Sequence, residues 1–219
     1  MQPTPRVSES TAARLPVYLR VLTGLGAVDS VSSEELAAAC GVSSAQLRKD
    51  LSVLGTRGIR GVGYDVRGLR DALAAELGMQ HDWPLVIIGG GNLGLALANY
   101  AGFTSRGFRV VGLVDADQLR VGEAVADGLV IQPMADLARI IRRTHAVIAV
   151  IATPADAAQR VADDLVGAGV TGILNFAPTV LSVPDGVAVR DVDLGVELQL
   201  LAFHEQRRSL DRDTHSEGE

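Results

Sequence analysis

The sequence has one cysteine, no apolar run of bilayer length and no excess of positive charge. The lone Cys40 excludes an internal disulfide. Lying among Leu36, Ala37 and Ala38 in a helical pattern, it reads as a small buried apolar residue rather than a redox thiol. No stretch approaches the ~20 apolar residues a membrane span needs, and MQPTPRVSES lacks the apolar core of a signal peptide, so a cytoplasmic protein with no membrane partner is expected. No metal site is expected either. The net charge of −6 argues against a simple polyanion binder.

What is present fits a soluble globular protein: 47% hydrophobic and 21% charged residues over 219 positions, enough for one large domain or two smaller ones. The charge is uneven. Residues 1–80 carry nine Lys/Arg against eight Asp/Glu, and residues 48–70 carry six against only Asp50 and Asp65. Phosphate contact depends on such local excess rather than on the total.

The first eighty residues read as a small helical domain. Leu15, Tyr18, Leu19 and Leu22 give a helix over about 11–26, with Pro16 near its first turn or bending it. Ser32 and Glu35 have capping-box spacing ahead of LAAAC, and Gly41 supplies the stop. Ser43 and Gln46 repeat the box, with Leu47, Leu51 and Leu54 as the buried stripe. Helix, short turn and helix make a helix-turn-helix. The opposite face of the second helix carries Ala45, Arg48, Lys49 and Ser52, with Ser44 at its start. Such a face suits a major groove, and equally an ordinary amphipathic helix with a solvated side. The following GTRGIRGVGYDV favours the groove. Its glycines break any helix, and its alternation predicts two short strands and a tight turn, a wing whose Arg57 and Arg60 can reach a minor groove. A further helix is expected over 67–78, and Met79–Asp82 marks a boundary.

From Trp83 the pattern becomes strand and helix in alternation: PLVII, RVVGLVDAD, HAVIAVIATP, TGILNF and GVAVRDV as strands. This predicts a doubly wound parallel sheet covered on both faces. The class is α/β, a winged helix-turn-helix (1–80) followed by a Rossmann-like domain (81–192). A helix over 193–208 and a disordered tail over 209–219 complete the chain.

Gly89-Gly90-Gly91-Asn92-Leu93-Gly94 fits G-x-G-x-x-G in the context that gives it meaning, after a strand and opening a helix. Gly89 permits the tight turn, Gly91 the approach of a pyrophosphate, and Gly94 close helix–strand packing. Asp115, ending the second strand, is placed to accept from an adenosine ribose and to repel a 2′-phosphate, favouring NAD(H) over NADP(H). Thr153-Pro154 and Asn175-Phe176-Ala177-Pro178 follow later strands at the same edge. They can line the nicotinamide half, or serve as structural turns. Ile151, Phe176 and Leu194 are candidate apolar walls, which would favour the neutral reduced ring over the charged oxidised one. A dehydrogenase needs a proton-exchanging group. His81, His145, His204 and His215 are not placed for it, so no catalytic residue is expected and the cofactor looks like a signal. The rival readings are a small NAD-dependent oxidoreductase with an accessory helical domain, and a regulator that senses a CoA derivative.

Together, LRKDLSVLGTRGIRGVGYDV, IIGGGNLGLALANY, VDAD and GILNFAPTVLSVP resemble the Rex redox-sensing transcriptional repressors, from about Arg14 to Phe203. The resemblance implies a homodimer that binds a pseudo-palindromic operator in double-stranded DNA and leaves it when NADH binds, with NAD+ competing for the site. It implies that the 193–208 helix is exchanged between subunits. It places Arg48, Lys49 and Arg60 at DNA, Gly61 and Tyr64 in the wing, and Arg14, Tyr100 and Asp193 in a switching network. The chain departs from the family pattern at Val53-Leu54, where an aromatic pair is common, and at Leu194, where some members carry an aromatic.

Overall fold

The computed structural model describes residues 7–126 and 128–216, which fall into two units, Met1–Asp82 and Trp83–Glu219. The first unit comprises α1 (Glu9–Ala12), α2 (Leu15–Gly24), β1 (Ser30–Val31), α3 (Ser33–Cys40), α4 (Ser44–Val53), β2 (Tyr64–Asp65) and α5 (Val66–Glu76). The single helix expected over 11–26 is two. Pro16 takes the first turn of α2, where its missing N–H costs nothing, and the chain breaks just before it. Ser32 and Glu35 form the reciprocal capping box, and Gly41 closes α3 in the left-handed region. The second box is only half made. Ser43 accepts from the Gln46 N–H at 3.1 Å, but the Gln46 amide turns away to Asp50 at 2.8 Å.

Tyr18, Leu22, Leu47, Leu51 and Leu73 are fully enclosed in this unit's core. Each such leucine contributes about 1.5–3 kcal/mol relative to exposure. The wing is smaller than its sequence implies. Ile59 and Gly63 form a single antiparallel bridge around the tip Arg60–Val62. The next two residues, Tyr64 and Asp65, pair instead with Val31 and Ser30. The segment is too short, and its tip too tight, for a longer ladder.

The second unit comprises β3 (Trp83–Ile88), α6 (Asn92–Ala98), α7 (Ala101–Thr104), β4 (Phe108–Asp115), β5 (Ala124–Ala126), β6 (Leu129–Pro133), α8 (Leu137–Thr144), β7 (Ile148–Ile151), α9 (Ala155–Gly167), β8 (Gly172–Asn175), β9 (Ala188–Asp191) and α10 (Leu194–Ser216). The strand order is β5-β6-β4-β3-β7-β8-β9. All neighbouring pairs are parallel except β5 with β6. β3 is buried on both faces. Val86 and Ile88 join the core under α8 and α9, while Leu85 and Ile87 face Leu95, Leu97 and Phe103 on the other side. The edge hairpin β5–β6 is absent from the sequence reading. Its first strand is three residues long with a register shift, and only Ile131 in its second is fully buried, so it carries little hydrophobic signal.

Two features position a site. The order reverses at β3, with β4 on one side and β7 on the other, the topological switch point at which open α/β sheets bind ligands. Parallel registry also aligns Ile88, Val114, Ile151 and Asn175, so the loops that follow their strands share one edge. α10 runs to Ser216, past the expected end near Arg208. After Gly195 in its first turn, no glycine or proline occurs before Gly218, so the loose tail expected from 209 is helical to Ser216, and residues 217–219 lie outside the described residues.

Candidate functional site

In the first unit, α4 follows the αL turn at Gly41 and presents Ala45, Arg48, Lys49 and Ser52 to solvent, with Ser44 half-buried at its start. Arg48 Nη1 donates to Glu34 Oε1 at 3.2 Å and Ser33 Oγ at 3.1 Å, and Nη2 to Ser44 Oγ at 3.3 Å. The Glu34 carboxyl is held below its ordinary range by its own backbone N–H, then by Ser33 and Arg48. Arg57, Arg60 and Gly61 are exposed on the wing. A cleft of about 470 Å³ separates wing from helix, lined by Ser32, Ser33, Glu34, Arg48 and Gly58–Tyr64. Tyr64 departs from expectation. It is 6% exposed and belongs to the core, so it supports the wing rather than facing outward. The wing also exposes Ile59 and Val62, which the sequence reading passed over. Apolar side chains beside an arginine at a wing tip suit sugar edges and base steps.

Beneath this surface lies a polar cluster that sequence reasoning missed. Asp50, on α4, is 1% exposed. It accepts from Thr11 Oγ1 (3.0 Å), Arg14 Nε and Nη2 (2.7 and 2.8 Å), Tyr18 Oη (2.7 Å) and Gln46 Nε2 (2.8 Å). Burial pushes the Asp50 carboxyl up, but hydrogen bonds from Arg14, Tyr18, Gln46 and Thr11 outweigh it and hold the group well below the carboxylate range. Tyr18 is pushed up to about 12 by burial and by Asp50. Arg14, expected in a switching network, is engaged here. Tyr100 instead stacks edge-on against Phe103 at 5.2 Å, and Asp193 Oδ1 caps α10 through the Gly195 and Val196 N–H groups at 2.8 and 3.2 Å.

In the second unit, the β3–α6 turn is built for close backbone packing. Gly89 has φ +105°, and a Cβ there would stand 2.5 Å from the Ala152 carbonyl oxygen. A Cβ on Gly94 would strike the Gly89 carbonyl. Any side chain at Gly94 would push the helix off the strand. Gly91, Asn92 and Leu93 are exposed, and the space above Gly91 is open. The first-turn N–H groups of α6 lack intrahelical partners by construction, a ready anion cradle. Asp115 Oδ2 accepts from the Gly90 N–H, and Oδ1 from the Asp117 N–H at 2.8 Å. Each carboxylate oxygen keeps a second lone pair for a ribose hydroxyl. Arg120 is the residue missed here. Its Nη1 donates to the Gly90 carbonyl, a backbone partner that leaves no trace in sequence.

Along the same edge the expected residues divide. Thr153 Oγ1 is buried without a hydrogen-bond partner, a cost of about 1–3 kcal/mol that a ligand can relieve. Pro154 caps α9. Asn175 is 1% exposed and fully engaged in its own loop. Its Nδ2 donates to the carbonyls of Ala177 and Thr179 and to Asp191, and its Oδ1 accepts from the Ala177 N–H. Ala177 is core and Pro178 exposed. The Asn175 side chain therefore shapes the loop, buried and with its amide hydrogens engaged within the protein. Of the expected apolar walls, Ile151 is buried under α8 and α9, Phe176 is half-buried on the other face, and Leu194 is exposed. His145 caps α8 in the left-handed region ahead of β7, away from this edge. No group of three His, Cys, Asp or Glu that could hold a metal occurs among the described residues, nor a helix long and apolar enough to cross a membrane.

Residues 6–52 match the family described as "Putative DNA-binding protein N-terminus", and residues 80–179 match "CoA binding domain". A redox-sensing transcriptional repressor Rex of Streptomyces avermitilis is 62% identical over 205 residues, 93% of this chain and 81% of that protein. One from Carboxydothermus hydrogenoformans is 47% identical over 92% of this chain and 98% of its own length. Among solved structures, RSP in complex with β-NAD+ and operator DNA superposes with a TM-score of 0.87 at 34% identity, covering 98% and 99% of the two chains. RSP in complex with β-NADH gives 0.85 at the same identity over 95% and 98%.

Proposed function

The chain belongs to the Rex family of redox-sensing transcriptional repressors, and from that premise we propose that it is an operator-binding repressor released by NADH. The observation that carries this reading is the pairing in one chain of a helix-turn-helix with an exposed basic face and a glycine turn closed by a strand-end aspartate. The winged helix (1–80) reads DNA with Ser44, Ala45, Arg48, Lys49 and Ser52 in the major groove and Arg57, Arg60 and Gly61 at the wing. The Rossmann unit (81–192) takes the dinucleotide on Gly89–Gly94, with the ribose at Asp115 and the nicotinamide half near Thr153 and Pro154. The Thr153 hydroxyl is a natural donor to that half. NADH and NAD+ are regulatory ligands here, with no catalytic residue.

The protein acts as a homodimer in the cytoplasm. Leu194, Val196, Leu198, Leu200, Leu201 and Phe203 are each about half exposed or more along α10, which supports this helix (193–208) as the element exchanged between subunits. A dimer engages two half-sites only if its recognition helices lie roughly 34–36 Å apart. Tyr100 and Asp193 would exchange their present partners as that spacing changes, while Arg14 stays with Asp50. NADH can shift operator affinity only as far as it prefers the non-binding arrangement.

Fluorescence anisotropy on a labelled pseudo-palindromic duplex, selected by the protein from a randomised pool, tests this at fixed salt. Tight binding weakened by NADH and spared by NAD+ supports it. The match of residues 80–179 to a CoA-binding family favours one alternative, a sensor of a CoA derivative. Release by CoA and not NADH would establish that instead.

A further inference from the structure

The loop after β4 holds an arginine in an unusual position. Gly90 is gripped through both of its peptide groups: its N–H by Asp115, its carbonyl by Arg120 Nη1. Two other nitrogens of the same guanidinium, Nε and Nη2, donate to Glu123 Oε2 at 3.3 and 3.0 Å. One donor on each of its three nitrogens is engaged, which holds the group in place; its two flat faces and one further N–H on each terminal nitrogen remain to be offered. The side chain remains 27% exposed.

Where a dinucleotide would lie follows from the sheet. Its pyrophosphate rests on the glycine turn and its adenosine ribose at Asp115, so its base extends along the loop that carries Arg120. A guanidinium stacks well on a flat aromatic ring. The surrounding charge also limits what Arg120 can do. Asp115, Asp117 and Glu123 outnumber it three to one on this stretch, so it is poorly suited to receive a 2′-phosphate.

Resting on the dinucleotide reading above, we propose that Arg120 is a ligand-binding residue, the stacking platform for the adenine ring, with Glu123 as the positioning residue that sets its plane.

Binding of NADH, NADPH, ADP-ribose and reduced nicotinamide mononucleotide to the full-length wild type, R120A and E123Q, by calorimetry, tests the assignment. R120A is expected to weaken NADH and ADP-ribose by the same factor, about tenfold, while the mononucleotide, which has no adenine, binds as before. E123Q, which leaves the cation in place but loosens its plane, is expected to lose two- to threefold on the adenine-bearing ligands alone, again as about a fraction of one stacking contact. Equal ADP-ribose affinity in R120A and wild type overturns the proposal. So does an equal loss of the mononucleotide, which would mean that Arg120 only braces the turn. A selective loss of NADPH in R120A overturns it too, by making Arg120 a phosphate receptor. Should the wild type bind no NADH at all, the dinucleotide reading itself falls. NADH binding that R120A leaves untouched removes only this inference.

Discussion

The two units treat buried polarity in opposite ways. In the winged helix, the buried Asp50 is met by Thr11, Arg14, Tyr18 and Gln46, so that every part of the carboxylate is engaged. In the dinucleotide unit, the Thr153 hydroxyl is buried with no partner. A closed cluster fixes geometry, as a surface that must match a groove requires. An open donor holds a place for something that comes and goes. The difference separates a rigid reader from a site that responds.

Removing Asp50 should produce the largest effect. D50A leaves Arg14 and Tyr18 facing an empty buried position, and breaking such a pair costs about 3–5 kcal/mol. Urea unfolding should show that loss in the first unit's transition. Because the folded carboxyl lies below its unfolded value near 3.9, its contribution is present above about pH 4 and lost as pH falls further. D50N should flatten that acid-side loss. An acid transition as steep in D50N as in wild type would break the comparison at its first term.

R48A comes next. A base-reading or phosphate contact is worth about 1–3 kcal/mol, so operator affinity should fall about 5- to 150-fold at fixed salt, with NADH affinity unchanged by calorimetry. A parallel loss of NADH affinity would show that the reader and the cradle are not separable.

The Thr153 hydroxyl gives a smaller and more pointed contrast. T153V should leave the free protein as stable as before or up to about 1 kcal/mol more so, since an unsatisfied group is lost. NADH affinity should fall about fivefold for one hydrogen bond. A destabilised T153V with normal NADH affinity would mean that the hydroxyl has an internal role and that the open site is no site. Smallest is E34Q. Glu34 is exposed and holds Arg48 in the free protein, so neutralising it should raise operator affinity about two- to threefold, as surface pairs allow. Anisotropy at two salt concentrations reads the change.

Much of this was legible in the sequence because the signals are local. The Ser32–Glu35 box, the Gly89–Gly94 turn and Asp115 at a strand end each declare themselves within a few residues. What was missed depends on distant or backbone partners. Asp50 looked like one acid in a basic stretch until Arg14, 36 positions away, closed on it. Arg120 meets a carbonyl, which no side-chain pattern reports. Asn175 suits both a ligand contact and a structural turn in the sequence, and its four hydrogen bonds to Ala177, Thr179 and Asp191 come from a loop and a neighbouring strand that sequence spacing does not report. The wing shortened for a similar reason. Alternation predicted two paired arms, but Tyr64 found a better partner in Val31 and a place in the core.

The central claim is that operator occupancy follows the reduced fraction of the dinucleotide. The most direct measurement holds total NADH plus NAD+ constant, well above both dissociation constants, and varies their ratio while operator anisotropy is recorded. The account predicts that occupancy falls smoothly as the ratio rises, along a curve that stays fixed when the total is doubled. Occupancy that ignores the ratio, or that tracks the total instead, would contradict it.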